Sequence, residues 1–312
     1  MDIVFMGSPD FALPSLEKLY QSEKINIKGV VTQPDRKKGR GQNYRSTPVK
    51  NKALELGLEV YESKNVNKNQ FIKKLDNLNI DAIIVVAFGQ ILSSEILNLP
   101  DYGCINVHAS LLPKYRGASP IHYAIINGEE KTGVTIMYME EDLDTGDIIS
   151  QKEVKIDKKD TVGDLHDRLA CTGADLLVKT LINLEKGVIE SKEQNHEEAT
   201  YAHKLDKDFG EIDWEKSSEK IYNLVRGLNP WPGAFTFING KLLKIWWTEV
   251  IDKSKIENKP GTILRADEKE GLIVQTGKGI IEIDKLQLEG RKKMSAKAFL
   301  RGYELKDGEM LG

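Results

Sequence analysis

The chain has 312 residues, of which 40% are hydrophobic and 30% are charged, and its formal net charge is −3. This length is more typical of two domains than of one, and the composition is that of a folded protein, not a disordered one. The sequence contains no apolar run of about 18 residues and its start lacks the features of a signal peptide, so we expect a cytoplasmic protein without a membrane partner.

The first half of the chain alternates between apolar strands and helices. The predicted strands are DIVFM, IKGVVT, DAIIVVAFG, CINVH, TGVTIMYM and DIISQKEVKI, and the predicted helices cover residues 14–22, 48–56 and 161–185. Such alternation predicts a parallel sheet wrapped by helices, which is a Rossmann-like α/β domain over residues 1–187. The segment IIVVA is apolar throughout, as expected of a central strand that is buried on both faces.

The second half follows a different pattern. Residues 188–207 are polar and show no periodicity, so we predict a linker there. A helix is then predicted near residues 217–228, and five short strands follow: AFTFI, KLLKIWWTEVI, GTILRA, GLIVQT and GIIEIDKLQL. Short strands separated by Gly, Asn and Pro turns predict a small β-barrel of the oligonucleotide-binding type over residues 208–312.

Two polar side chains stand out in the strand CINVH. Because alternate residues of a strand point to opposite faces, Asn106 and His108 share one face of it. Ligands of open parallel sheets bind outside the carboxyl ends of the strands, so a site for chemistry is one interpretation. A pair of buried, hydrogen-bonded polar residues without a chemical role is the alternative.

The segments around this pair carry a family resemblance. The pair is followed by the SLLP turn, Ser110 to Pro113, and further on by Asp144 in LDTGD. With these three parts the chain resembles the folate-dependent formyltransferases. Along almost its whole length it is similar to the members that act on methionyl-tRNA, in FMGSPDFA, TQPDRKKGRG, NPWPGAF and KKMSA among other segments.

The resemblance implies transfer of the formyl group of 10-formyltetrahydrofolate to the amino group of methionine on initiator tRNA. An α-amine has a pKa of about 7.7 to 8, so part of it is already nucleophilic at neutral pH. Stabilising the oxyanion of the transition state is then the larger task, and we expect Asn106 and His108 to donate to it. Asp144 is expected to move the proton, through water, although an acidic residue beside a glycine also commonly forms a turn.

The resemblance also implies a folate site built from backbone loops that follow the central strands. The candidate residues for its wall are Phe88, Gly89, Gln90, Ile91, Leu92, Ser110, Leu111, Leu112 and Pro113. Ordinary strand-to-helix connections are the alternative interpretation, chiefly for the first segment. The loop FMGSP lacks the G-x-G-x-x-G pattern, so a nicotinamide cofactor is not predicted.

No metal site is predicted. The five histidines and two cysteines show no zinc-ligand spacing, and we expect Cys104 and Cys171 to be core residues. The acidic loop around Asp144 has glycine where a calcium-binding loop requires a third ligand, and it lacks the distal glutamate.

A basic loop at residues 34–50 is the candidate contact for nucleic acid. It carries six basic residues, Arg36, Lys37, Lys38, Arg40, Arg45 and Lys50, against the single acid Asp35. We predict that it binds tRNA, with a solvated surface loop as the alternative. A second basic strip consists of Arg291, Lys292, Lys293, Lys297 and Arg301, of which the last three would lie on one face if the segment were helical, with an idle solvent-exposed face as the alternative.

Two other functions remain open at this point. A formyltransferase that acts on glycinamide ribonucleotide would explain the Asn, His and Asp but would leave the basic loop and the barrel without a role. A non-catalytic RNA-binding protein would require an altered catalytic set, and none of the three positions is altered here. We expect a monomer.

Overall fold

The computed structural model describes residues 1–38, 43–256 and 258–312. The chain divides into two compact units. The first consists of Met1–Pro120, Lys131–Lys155 and His166–Ala202, and the second of Ile121–Glu130, Ile156–Leu165 and His203–Gly312. The assignment of functions to domains bounded at residues 187 and 208 remains a prediction.

The described residues form the following strands and helices, each type numbered along the chain. The strands are β1 Asp2–Gly7, β2 Asn26–Thr32, β3 Arg36–Lys38, β4 Asn43–Arg45, β5 Val60–Glu62, β6 Ala82–Val86, β7 Cys104–His108, β8 Arg116–Gly117, β9 Lys131–Tyr138, β10 Ile148–Lys155, β11 Tyr201–Ala202, β12 Ala234–Ile238, β13 Lys241–Asp252, β14 Ile263–Asp267, β15 Gly271–Gln275, β16 Ile280–Leu288 and β17 Met294–Ser295. The helices are α1 Leu13–Gln21, α2 Pro48–Glu55, α3 Asn69–Asp76, α4 Ser94–Leu97, α5 Pro120–Ile126, α6 Val162–Glu185, α7 Ser218–Gly227 and α8 Ala296–Leu300.

The first unit is built on a seven-stranded sheet with the order β10-β9-β7-β6-β1-β2-β5. The pairs from β7 to β5 are parallel, which confirms the predicted parallel sheet for that part. The sheet as a whole is mixed, because β9 runs antiparallel to both β7 and β10. All five residues of β6 are buried, as the apolar run predicts.

The apolar side chains of this sheet fix the position of β7. On one face a core cluster joins residues of β1, β2, β6 and α3, among them Met6, Val31, Val85 and Leu75. Helix α6 lies against β7, since a Cβ built on Gly173 would come within 2.9 Å of Val107. Val107 points away from the face that carries its two neighbours in the strand, so α6 leaves that face to Asn106 and His108.

The second unit contains a six-stranded antiparallel sheet, with the order β12-β13-β16-β15-β14 and with β17 paired to β16. Its five longer strands are those predicted from the sequence. Helix α7 begins after Ser217, whose side chain accepts a hydrogen bond from the Lys220 amide. The apolar side of α7 joins the core of the unit through Ile221 and Val225. The arrangement is consistent with a small barrel.

Several short elements were not predicted. Strands β8 and β11 have two residues each, and β3, β4 and β5 have three, which is too short for an alternating pattern to appear. Helix α3 was missed because its apolar residues lie within a polar stretch.

Candidate active site

His108 ends β7 and is almost completely buried, with 6% of its surface exposed. Its Nε2 lies 3.0 Å from the carbonyl oxygen of Tyr115. Because a carbonyl oxygen only accepts, Nε2 carries a hydrogen in this arrangement. The other ring nitrogen, Nδ1, lies 3.6 Å from Oδ2 of Asp144. One side of the ring is therefore fixed by the backbone, and only Nδ1 is left for chemistry.

Asp144 is held in an unusual backbone conformation, with φ at 54°. Its Oδ2 accepts a hydrogen bond of 2.7 Å from the amide of Gly117 in β8. Gly117 itself has φ at 112°, and a Cβ on it would lie 2.8 Å from the carbonyl oxygen of Ala202, so the position requires glycine. The carboxylate is thus anchored by a backbone donor beside the imidazole.

Asn106 precedes His108 by two positions and lies on the same face of β7. It is partly exposed, and within residues 1–38, 43–256 and 258–312 its side-chain amide makes no hydrogen bond to protein. An amide that can reach solvent without a protein partner is free to donate to a ligand. The structure thus brings His108 and Asp144 together and leaves Asn106 available on the neighbouring stretch of the same strand.

Two side chains behind the loop of Asp144 were missed by the sequence analysis. Arg116 is 2% exposed, and it donates to Oε1 of Gln194 from Nε at 3.2 Å and from Nη2 at 2.7 Å. Gln194 in turn donates to the carbonyl oxygens of Asp144 and Gly146. Gln194 lies in the segment predicted as a linker, where nothing in the sequence distinguishes it from its polar neighbours.

The SLLP turn is held from inside the unit. Thr135 donates to the carbonyl oxygen of Ser110 at 2.6 Å and accepts from the amide of Leu112 at 3.1 Å. Both Ser110 and Leu112 are buried, so their side chains do not offer a surface to a ligand. Leu111 and Pro113 are partly exposed, and a ligand at this turn would meet them and the backbone.

The other candidate folate segment, residues 88–92, follows β6. The side chains of Phe88 and Leu92 are buried in the core, so they can contribute only backbone atoms to a site. Gln90 is engaged by the loop beside it, accepting from the amide of Val66 and donating to the carbonyl of Ser63. Gly89 and Ile91 are exposed, and 77% of Ile91 is accessible.

Part of the predicted nucleic-acid loop is described. Strands β3 and β4 form a hairpin in which Arg36 lies directly opposite Arg45, and both are exposed. The structure describes only the backbone of Lys37 and Lys38, and Arg40 lies outside the described residues. Lys50 contacts Asp35 and Glu62, and these bonds raise the pKa of its amine, so its charge is already neutralised within the protein.

The second basic strip does not form the predicted single face. Ser295 caps α8 by accepting a hydrogen bond from the amide of Ala298, so the helix begins at Ala296 and Lys293 precedes it. The Lys293 amine lies over the ring of Trp246, 4.6 Å from its centre. Burial, followed by the nearby charge of Lys285, lowers the pKa of Lys293.

The cysteines do not supply a nucleophile to this site. Burial raises the pKa of Cys104 to about 12, so its thiol stays protonated at neutral pH. Cys171 is exposed, and its prediction as a core residue was wrong. In the described part of the chain, no three His, Cys, Asp or Glu residues come together in a way that could hold a metal ion. The same residues contain no helix with the length and apolarity needed to cross a membrane.

Comparisons with known proteins identify the family of the chain. The formyl transferase family model matches residues 1–181, and the model of the formyl transferase C-terminal domain matches residues 204–304. The chain is 58% identical to the methionyl-tRNA formyltransferase of Halothermothrix orenii, with 100% of both chains covered. It is 48% identical to that of Clostridioides difficile (strain 630), again with 100% of both covered.

Solved structures share the fold at lower identity. A sugar 3N-formyl transferase, WlaRD, determined in the presence of dTDP and 5-N-formyl-THF, superposes with a TM-score of 0.65 at 20% identity, covering 94% of this chain and 99% of that one. HypX from Aquifex aeolicus, in complex with tetrahydrofolic acid, gives 0.61 at 18% identity over 99% of this chain and 50% of that one. The chain therefore belongs to the formyl transferase family, together with the methionyl-tRNA formyltransferases.

Proposed function

We propose that this chain transfers the formyl group of 10-formyltetrahydrofolate to the free amino group of methionine on initiator methionyl-tRNA. The observation that carries the chemistry is the pairing of the buried His108 with the Asp144 carboxylate, which the Gly117 amide holds in place. The methionyl-tRNA formyltransferases that match the whole chain support this choice of substrate. The folate ligands of the related folds support the formyl donor.

We infer the catalytic roles from the side-chain atoms that the fold does not already engage, the Asn106 amide and Nδ1 of His108. The methionine amine attacks the formyl carbon, negative charge collects on the formyl oxygen, and the bond to the folate nitrogen then breaks. Asn106 donates to that oxygen from its side-chain amide, which has no protein partner among the described residues. Because Nε2 of His108 is bonded to Tyr115, the ring can add a second donor only from Nδ1, and only as an imidazolium. Each such donor is worth roughly a hundredfold to a thousandfold in rate.

Asp144 has two tasks in this scheme. Its carboxylate lies beside Nδ1 and supplies the countercharge when the ring is protonated. It also accepts the proton that the attacking amine loses, through a water molecule, and returns it to the folate nitrogen that leaves. Its anchor on Gly117 keeps one oxygen fixed while the other remains available for this transfer.

We place the folate at the carboxyl ends of β1 and β6. Strand order reverses between these two strands, and in open α/β sheets ligands bind at such a switch point. The exposed residues Gly89 and Ile91 follow β6 and offer backbone and apolar surface there, with Leu111 and Pro113 of the SLLP turn completing the wall. Phe88, Gln90, Leu92, Ser110 and Leu112 would support this wall through backbone atoms.

We assign recognition of tRNA to the basic hairpin and to the second unit. Like charges directly opposite each other destabilise a hairpin, so Arg36 and Arg45 would gain from an anion placed between them, as a phosphate would be. Lys37, Lys38 and Arg40 are proposed to extend this contact. Lys293 over Trp246 joins a charge and a ring, which suits a nucleic acid.

The proposal also assigns roles to the parts of the chain. Residues 1–187 would carry folate and chemistry, residues 208–312 would bind the tRNA body, and residues 188–207 would connect them. It further includes a preference for initiator over elongator tRNA, action in the cytoplasm where the tRNA is charged, and a monomeric state.

The test is to incubate the purified protein with 10-formyltetrahydrofolate and methionyl-tRNA and to analyse the released amino acid by mass spectrometry. We expect N-formylmethionine from initiator tRNA at a higher rate than from elongator tRNA. Transfer to glycinamide ribonucleotide without transfer to tRNA would favour the small-substrate alternative. Retention of tRNA without turnover would favour a binding protein.

A further inference from the structure

The segment that follows α6 contains one side chain that the protein buries. Over residues 182–201, all of which the structure describes, only Gln194 is buried, with 4% of its surface exposed. Burial of an amide is unfavourable unless its hydrogen bonds are satisfied. The next buried residue along the chain is the apolar Ala202, so Gln194 is a polar side chain in a place where a segment is normally anchored by an apolar one.

Gln194 uses every hydrogen-bonding site that an amide has. Its Oε1 accepts from Nε and Nη2 of Arg116, and its Nε2 donates to the carbonyl oxygens of Asp144, at 2.9 Å, and Gly146, at 2.7 Å. Two acceptor and two donor positions are the full capacity of the side chain. Only an amide of this length joins a guanidinium on one side to two carbonyl groups on the other.

The segment around Gln194 is fastened at both ends, to β10 before it and to β8 after it. Before it, Lys192 exchanges backbone hydrogen bonds with Ile148 at the start of β10. After it, β11 pairs in parallel with β8, so that Tyr201 lies beside Arg116 and Ala202 beside Gly117. We call residues 190–202 the strap. It holds β8 and the loop of Asp144 together, and these two supply the donor and the acceptor of the bond between Gly117 and Asp144.

The hydrogen bonds from Gln194 hold the backbone of the Asp144 loop in an unfavourable conformation. Asp144 has φ at 54°, and a non-glycine residue keeps this unfavourable conformation only where its surroundings impose it. Gly146 is also tightly placed, since a Cβ on it would lie 2.2 Å from the carbonyl oxygen of Tyr138. Gln194 donates to the carbonyl of each of these residues, so it fixes the peptide groups that aim the Asp144 carboxylate.

We propose that Gln194 is a positioning residue for formyl transfer, which acts by holding Asp144 against His108. The inference rests on the proposed catalytic role of Asp144. Gln194 does not touch substrate in this account. Removal of its amide should therefore lower the rate of the transfer step and leave the binding of both substrates nearly unchanged.

The test compares Gln194→Leu with the wild-type full chain. A displacement of a catalytic group by about 1 Å can lower the rate roughly a hundredfold, so we expect kcat to fall roughly tenfold to a hundredfold. The KM values for 10-formyltetrahydrofolate and methionyl-tRNA should stay within about twofold, because the proposal gives the strap no contact with either substrate. Asn195→Ala is the matched control, since among the described residues this neighbouring side chain bonds only to Glu197 and Glu198, both within the strap, and it should retain wild-type kcat.

The variant Gln194→Glu distinguishes an effect on the position of Asp144 from an effect on the stability of the strap. Glutamate keeps, and strengthens, the contact with Arg116, but it has no donor for the two carbonyl oxygens of the catalytic loop. The ion pair with Arg116 opposes the repulsion between the carboxylate and the two carbonyl oxygens, so the melting temperature should fall less than in Gln194→Leu, while kcat falls at least as far. This variant also replaces Gln194→Leu if that protein is unfolded at the assay temperature. Wild-type kcat in a folded Gln194→Glu protein would overturn the inference.

The Asp144→Ala background identifies the route of the effect. If Gln194 acts through Asp144, adding Gln194→Leu to Asp144→Ala should lower kcat by less than about twofold. A further loss as large as that in the wild-type background would show that Gln194 acts elsewhere and would overturn the inference alone. Full activity of Asp144→Ala would remove the proposed catalytic set, and the positioning role with it.

Discussion

The end of β7 and the hairpin β3–β4 present charge in opposite ways. Beside β7, His108 and the Asp144 carboxylate are enclosed, and backbone groups of Tyr115 and Gly117 satisfy them before any substrate arrives. In the hairpin, Arg36 and Arg45 face each other in solvent. The first arrangement is complete without a ligand, as chemistry requires, whereas the second gains stability only when an anion binds.

The largest effects should come from the enclosed site. Replacing Asn106, His108 or Asp144 singly by alanine should lower kcat/KM for methionyl-tRNA at least about a hundredfold, because each change removes a group that acts only in the transition state. Steady-state kinetics on each purified variant, with circular dichroism to establish folding, measures this. A folded variant with near-normal turnover would exclude its residue from the mechanism.

A smaller but still substantial loss is expected from Gly117→Ala. The added Cβ would meet the carbonyl oxygen of Ala202 in a backbone conformation that favours glycine, so the Gly117 amide must move away from Asp144. We expect kcat to fall roughly tenfold and the free energy of unfolding to fall by about 1 to 3 kcal/mol.

Urea unfolding and formylation kinetics measure the two losses together. Gly187→Ala is the control, because Gly187 also has a positive φ, at 65°, but a Cβ there meets no atom within 4 Å. It should lose less stability than Gly117→Ala, because its new Cβ meets no atom, and it should lose no activity. Equal losses of activity in the two variants would contradict the role given to the Gly117 amide.

In the exposed hairpin β3–β4, a substitution should change stability and function in opposite directions. Arg45→Gln removes one of two facing cations, so it should raise the stability of the free protein slightly, by about 0.2 to 1 kcal/mol. It should weaken tRNA binding and lower the slope of log K against log salt by roughly 0.7 to 0.9 for each lost phosphate contact. Arg40→Leu, at a position predicted from sequence alone, should lower kcat/KM for tRNA with folate affinity unchanged.

Binding of labelled tRNA by fluorescence anisotropy, over a series of salt concentrations, measures the effect of Arg45→Gln. Lys131→Gln is a suitable control, since Lys131 is exposed and forms an ion pair with Glu153. It removes the same charge and should leave the salt dependence as it is. If Arg45→Gln bound tRNA with the wild-type slope, the hairpin would not be a phosphate contact.

The smallest effect is expected from Lys293→Gln. Loss of the cation over Trp246 removes about 0.5 to 1 kcal/mol of interaction, but the partial burial that lowers the pKa of Lys293 is relieved at the same time. The free energy of unfolding should therefore change by less than about 1 kcal/mol. Binding of tRNA should weaken modestly, and wild-type binding would remove Lys293 from the proposed surface.

The site residues at the end of β7 that could be predicted from the sequence either follow the alternation of a strand or belong to a motif. The shared face of Asn106 and His108 follows from alternation in CINVH, and Asp144 follows from the LDTGD resemblance. Gln194 and Arg116 could not be found this way, because their partners are distant in sequence and backbone carbonyl groups leave no trace in composition. The strap looked like a linker since its apolar content is low, and its attachment depends on backbone pairing with β8 and β10.

The measurement that tests the central claim most directly is a double-mutant cycle on His108 and Asp144 in single-turnover formylation of methionyl-tRNA. Wild type, His108→Ala, Asp144→Ala and the double variant are saturated with 10-formyltetrahydrofolate, and the rate of formylmethionyl-tRNA formation is measured by quench flow. Because the two groups act as one unit, the double variant should lose clearly less than the product of the two single losses. Losses that multiply would show that His108 and Asp144 act independently and would contradict the account.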